Sequence, residues 1–169
     1  MKNPKAVVSS EKVIINAPVS LVWQVLTDLQ NYPQWNLFTV KVESDLTLGS
    51  AVDLYLPKPK RESKSEAKKD ALMCQREYLK VFAPQENLAW GMVMKHRWIL
   101  EAQRDQRLEI IDANSCSYVT TDSFKGLLTG TVMKNQGQWI KDGFDSVAFA
   151  LKARAEALFE PQSAEAVVS

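Results

Sequence analysis

The sequence predicts an α+β domain in which a curved antiparallel sheet wraps around one long C-terminal helix. Three observations carry this prediction. Period-2 apolar segments recur between Phe38 and Phe124, polar turn residues separate them, and an apolar stripe at i, i+3, i+4 spacing runs from Ile140 to Leu158. A meander of strands must bury one face against another layer, and the C-terminal stripe supplies that layer. At 169 residues, 46% apolar and 24% charged, with no Gly/Ser- or Pro-rich linker, the chain reads as one domain over 1–169, with an ordered core over about 7–159.

The elements follow in order. Val7 to Ile15 alternates loosely and ends in Asn16-Ala17-Pro18, a strand handing over to a helix that has Pro at its first position. Val22, Val25, Leu26 and Leu29 recur at helical spacing, and the helix is expected to break near Tyr32-Pro33, because a residue before Pro is pushed out of the α region. Trp35, Leu37 and Phe38 follow in an extended connection. Val40 and Val42, then Val52, Leu54 and Leu56, then Leu88, Trp90, Met92 and Met94 each occupy one face of a period-2 run. Turns are expected at Leu48-Gly49-Ser50 and Ala83-Pro84-Gln85-Glu86-Asn87. Leu108 and Ile110 lead into the polar turn Asp112-Ala113-Asn114-Ser115, and Tyr118 to Phe124 forms the returning strand of a hairpin.

In the last segment Ile140, Phe144, Val147, Ala148, Leu151, Ala155 and Leu158 form the stripe, while Lys141, Asp145, Lys152 and Glu156 occupy other faces. A frayed tail is expected over 160–169. A basic stretch over 57–75, in which Lys58, Lys60, Arg61, Lys64, Lys68 and Lys69 outnumber Glu62, Glu66 and Asp70, reads as a long solvated loop between two strands.

A net charge of +1 provides no overall field to gather nucleic acid, and the apolar runs are far shorter than a bilayer span, so neither nucleic-acid binding nor stable membrane insertion is expected. Met1 to Ser10 is too polar for a signal peptide, which makes the cytoplasm the expected location. Cys74 and Cys116 lack metal-ligand spacing, and a reducing compartment argues against a bridge between them.

Three pieces of the chain carry a family resemblance. The first is Ile15-Asn16-Ala17-Pro18 with Val22-Trp23, Leu26-Thr27-Asp28, Tyr32-Pro33-Gln34-Trp35-Asn36 and Phe38. Pro84 with Leu88-Ala89-Trp90-Gly91 is the second, and Asp122-Ser123-Phe124-Lys125-Gly126-Leu127-Leu128 leading into Gly143-Phe144 and Leu151–Glu156 is the third. In this order they resemble the SRPBCC or START-like superfamily, especially its polyketide cyclase/dehydrase-like members. The resemblance implies the helix-grip fold: seven antiparallel strands around a long C-terminal helix, with two short helices after the first strand. It also implies a cavity between sheet and helix that holds a small, largely apolar or aromatic molecule. A carrier, sensor or accessory role is the leading expectation, and a cyclase or dehydratase acting on a carbonyl-containing hydrophobic substrate is the alternative.

Catalytic constellations are absent from the sequence. His96, the only histidine, lies between Lys95 and Arg97 and reads as a surface or rim residue. No phosphate-cradling glycine loop and no dinucleotide fingerprint occur, so neither cofactor nor metal is expected. The candidate acid is Asp122, because alternation puts Cys116, Tyr118, Thr120, Asp122 and Phe124 on one face, and Tyr118 with Phe124 marks that face as the inner one. An inward carboxyl either holds a polar ligand group or exchanges a proton; the alternative is that it pairs with an arginine or caps the next turn. Trp35, Trp90, Met92, Met94 and Trp98, with Met133, could pack a solid core, and only the resemblance makes them a cavity lining. Phe38, Leu54, Leu108, Phe144 and Val147 complete the expected lining.

Overall fold

Alternation along the chain translates directly into antiparallel pairing. A computed structural model describes residues 5–59 and 72–166, with side chains through residue 160. Strands β1 (Ala6–Ser9) and β2 (Val13–Ile15) precede helix α1 (Val19–Thr27) and a 3-10 helix over Leu29–Gln34. Strands β3 (Lys41–Glu43), β4 (Ala51–Pro57), β5 (Leu72–Ala83), β6 (Asn87–Met94), β7 (Leu100–Asp112) and β8 (Ser115–Lys125) follow, and helix α2 (Thr129–Ala166) ends the described chain. All pair antiparallel in the order β1-β8-β7-β6-β5-β4-β3, with β2 also on β8. The open sheet and long helix are the helix-grip arrangement.

The seven expected strand positions hold eight strands, because the first is interrupted. At Ser10 the ladder is replaced by a local exchange: Ser10 N–H donates to the Thr120 carbonyl (2.9 Å), and Ser10 Oγ accepts from Thr120 N–H (3.1 Å). The displaced backbone turns towards α2. Glu11 N–H donates to Asp145 Oδ1 and Asn16 N–H to Glu156 Oε1, both at 2.7 Å, while Lys152 Nζ donates to the Ile14 carbonyl at 2.7 Å. The charged residues on the outer faces of α2 thus supply the partners that the broken strand lacks.

Three further elements have boundaries that differ from expectation. Helix α1 stops at Thr27, before Tyr32-Pro33, where the Thr27 hydroxyl donates back to the Trp23 carbonyl (2.8 Å) and Asp28 leaves helical geometry at ψ 73°. Pro18 sits just ahead of α1 and Pro33 lies within the 3-10 turn. The basic loop expected over 57–75 is narrower at both ends, because Pro57 pairs with Leu72 and residues 72–75 already belong to β5. Gln75 and Glu77 occupy apolar-face positions of that strand, which hides its period. Residues 60–71 of the expected loop lie outside the described residues. Helix α2 runs on to Ala166, into the stretch 160–169 where fraying was expected, and 167–169 again lie outside the description.

Ile140, Phe144, Val147, Ala148, Leu151 and Ala155 are all buried against the concave face of the sheet. They meet Ile15, Leu88, Trp90, Leu108, Tyr118 and Phe124 from the strands in one hydrophobic core. Among the described residues no helix is long and apolar enough to cross a membrane.

Candidate functional site

Register places one row of side chains across the concave face. Leu79 of β5 faces Trp90 of β6, Trp90 faces Arg104 of β7, and Arg104 faces Asp122 of β8. Aligned strands put cross-strand partners on the same side of the sheet, so the row is apolar at one end and charged at the other. Towards the open end of the sheet the same face carries Glu77 and Gln75 from β5 and Leu54 from β4, the latter paired with Gln75.

Helix α2 does not close completely on this part of the face. A cavity of about 290 Å³ remains, bounded by the sheet row and by Val132, Gln136, Trp139, Ile140 and Phe144 of α2. This is at the lower end of small-molecule sites, which run from roughly 300 Å³ upward. Its roof is aromatic: Phe38 stands edge-on to Trp139 (centroids 4.8 Å apart) and to Phe144 (6.0 Å). The Phe38 ring reaches the helix because residue 143 is Gly, where a Cβ would lie 2.2 Å from Phe38 Cδ2.

Arg104 is the central polar residue, with only 5% of its surface exposed. Its Nε donates to Thr120 Oγ1 (2.9 Å) and its Nη1 to Thr39 Oγ1 (3.2 Å), both neutral acceptors. The guanidinium carbon sits 4.3 Å from the Phe144 ring centre and 5.9 Å from that of Trp90. Its Nη2, Trp90 Nε1 and Asp122 Oδ1 are all shielded from solvent and lack a hydrogen-bond partner.

Two carboxyls share this environment. Burial pushes Glu77 up to about 7, against the opposing pull of Arg104, of the hydrogen bond from Gln75 Nε2 (2.7 Å) and of Lys80. Burial also raises Asp122 well above the usual carboxylate range, with the Glu77 charge adding to the effect and Arg104 opposing it. Asp122 as a whole is half-buried and neither pairs with Arg104 nor caps a turn through Oδ1. The ensemble is a fixed positive charge flanked by two carboxyls biased towards their neutral forms. It can hold an acceptor, donate a proton or take one up.

Of the residues expected to line a cavity, Phe38, Leu54, Trp90, Met92, Met94, Asp122, Phe124 and Phe144 do so. Trp35, Leu108, Tyr118, Thr120 and Val147 are buried in the core away from it. Trp35 packs edge-on against Tyr32 (4.9 Å), Tyr118 donates to Gln106 Oε1 (3.1 Å), and Thr120 acts through Arg104. Trp98 is displaced furthest from expectation, because it sits 63% exposed on the turn between β6 and β7, stacked on an exposed His96. Proximity in sequence to Met92 and Met94 misled, since period 2 ends where the strand ends at Met94.

Sequence reasoning missed Arg104, Glu77 and Trp139. The alternation Leu100, Ala102, Arg104, Gln106, Leu108 carried the signal for Arg104, as a charge on an otherwise inward-facing set. Among the described residues no cluster of side chains could hold a metal ion.

Residues 15–145 match the family described as polyketide cyclase / dehydrase and lipid transport. No curated protein matches. Among solved structures, a START superfamily protein from Mycobacterium smegmatis is 16% identical, with a TM-score of 0.61 over 90% of this chain and 98% of that one. The Zhui aromatase/cyclase from a Streptomyces species is 20% identical, with a TM-score of 0.61 over 89% and 93%. Norcoclaurine synthase from Thalictrum flavum, a point mutant in complex with a transition-state analogue, is 12% identical, with a TM-score of 0.61 over 89% and 93%. At these identities the likeness is one of fold.

Proposed function

Because the chain belongs to the polyketide cyclase / dehydrase and lipid transport family, we propose that it encloses one small, largely apolar or aromatic molecule between sheet and helix, as a carrier, sensor or accessory protein. The observation that carries this reading is the cavity of about 290 Å³, walled largely by apolar and aromatic side chains with Arg104, Asp122 and Glu77 among its lining. A solid core would leave no such space, because interiors pack to crystal density.

The test is uptake of an uncharged environment-sensitive fluorophore, N-phenylnaphthylamine, followed by native mass spectrometry of protein purified from its own host to find what occupies the site. Saturable uptake with one molecule per chain is expected. A protein that takes up no apolar probe and carries no small molecule refutes the reading.

A second reading, catalysis on a carbonyl-containing hydrophobic substrate, is favoured by one specific observation. The sequence suggested a single internal acid, but Glu77 is a second, and Arg104 lies beside both. In that reading protonated Asp122 donates to the substrate carbonyl oxygen, Arg104 Nη2 stabilises the charge that develops there, and Glu77 removes the proton from carbon. Asp122→Asn separates the readings, since it keeps shape and hydrogen bonding but exchanges no proton. A carrier keeps its ligand with modestly changed affinity. An enzyme that uses this acid loses turnover by roughly a hundredfold or more while still binding substrate.

A further inference from the structure

Resting on the binding reading above, we propose that the molecule held in the cavity is a monoanion, an apolar or aromatic body carrying one carboxylate seated on Arg104 and Trp90.

A guanidinium stays charged in any protein environment, and an isolated buried charge is costly unless it is paired. Among the described residues no carboxylate lies within ion-pair distance of Arg104, and the partners of its Nε and Nη1 are the neutral hydroxyls of Thr120 and Thr39. Asp122 stands opposite it in register yet does not pair, and Glu77 bonds to Gln75 instead. The donor left over, Nη2, is shielded from solvent and belongs to a residue that lines the cavity.

Trp90 Nε1 is a second donor without a partner, on a residue buried completely and directly opposite Arg104 in register. Indole N–H donates only, so this pair asks for an acceptor and can offer none. A carboxylate has two oxygens that accept in one plane, which suits two donors from adjacent strands. The third unpartnered atom, Asp122 Oδ1, belongs to a carboxyl that burial biases towards protonation, so it can add an O–H donor to the same group. One positive charge is matched by one negative charge. The lining holds no second cationic side chain, and apart from Gln75, Glu77, Asp122 and Gln136 the rest of it is apolar or aromatic, including Leu54, Met92 and Phe124.

The experiment compares naphthoate with naphthamide, which are nearly equal in shape and differ in charge, each displacing N-phenylnaphthylamine from the wild-type protein. Naphthoate is expected to displace the fluorophore at a concentration roughly tenfold or more below that needed by naphthamide, the scale of a charge-assisted pair. That advantage is expected to vanish in Arg104→Met and to survive in part in Arg104→Lys. Equal or reversed potency in the wild type overturns the inference, as does an advantage that persists in Arg104→Met. The wild-type comparison stands even if Arg104→Met fails to fold. A protein that binds N-phenylnaphthylamine but prefers naphthamide leaves the cavity reading standing and removes the anion, whereas one that binds no probe removes both.

Discussion

Replacing Glu77 by Gln should stabilise the protein at alkaline pH and leave it unchanged in acid. Glu77 is raised from an ordinary 4.5 to about 7, with burial as the leading cause, so the folded state binds this proton more tightly than the unfolded chain does. Stability from such a group is fully present below 4.5 and is lost as pH rises through 7. At about 1.4 kcal/mol for each tenfold in proton affinity, that interval corresponds to about 3 kcal/mol. The charged groups that face it are Arg104 from β7, Asp122 from β8 and Lys80 from its own strand, with Gln75 as hydrogen-bond donor. A glutamine Oε1 accepts the Gln75 bond as the carboxyl does, so the substitution removes only the charge. Urea denaturation of both proteins between pH 5 and pH 8 cancels every titrating group in the difference except Asp122, whose proton is coupled to the Glu77 charge. Wild type and variant should differ by only about 1 kcal/mol near pH 5 and by about 3 kcal/mol near pH 8, with the variant more stable. Parallel curves, or a variant less stable at pH 8, would refute the assignment of Glu77 as an uncompensated buried carboxyl.

Phe144→Ala removes a ring that is 2% exposed and lies on Arg104. A packed site of this kind costs about 3 to 5 kcal/mol, and the open cavity on one flank points to the lower end; a loss under about 0.5 kcal/mol by chemical denaturation would mean that the ring is not buried as described. Gly143→Ala drives a Cβ into the Phe38 ring, 2.2 Å away, and should push that ring into the cavity, weakening N-phenylnaphthylamine uptake severalfold, with a stability cost of about 1 to 3 kcal/mol. Unchanged uptake and unchanged stability would show that Phe38 does not lean on the helix. Asp122→Asn should retain probe binding, and loss of binding in a folded variant would mean that its carboxyl holds the ligand directly.

The sequence was most informative where a side chain's chemistry agreed with its position. Leu88, Trp90 and Met92 alternate as a strand should, and Phe144 to Ala155 repeats as a buried helix face should, so β6 and the core of α2 were legible. Asp122 was legible too, because Tyr118 and Phe124 fixed the phase of its strand. Strand β5 was not, since its inward positions Gln75 and Glu77 are polar and period-2 reasoning sees only apolar residues. Arg104 was missed for the same reason. A site that breaks the hydrophobic pattern erases the signal used to find it, and register between strands, which brings Arg104 opposite both Trp90 and Asp122, is not written in any one segment. Trp98 failed in the other direction, being aromatic by type and exposed by place.

The walls of the cavity are unequally charged. Every ionisable group in its lining comes from the sheet, as Glu77, Arg104 and Asp122, while α2 contributes Val132, Gln136, Trp139, Ile140 and Phe144. What the chamber recognises electrically and how much room it offers therefore reside in different parts of the chain. Descent with variation can act on these parts separately: substitutions along the helix resize the space without disturbing a ladder of backbone bonds, and substitutions in the strand row change polarity without moving the helix. Phe144 is the exception, because its ring bounds the volume and also lies against the guanidinium. Among the helix positions it is the one where a change of size is also a change of charge environment, and variation there should be the most constrained.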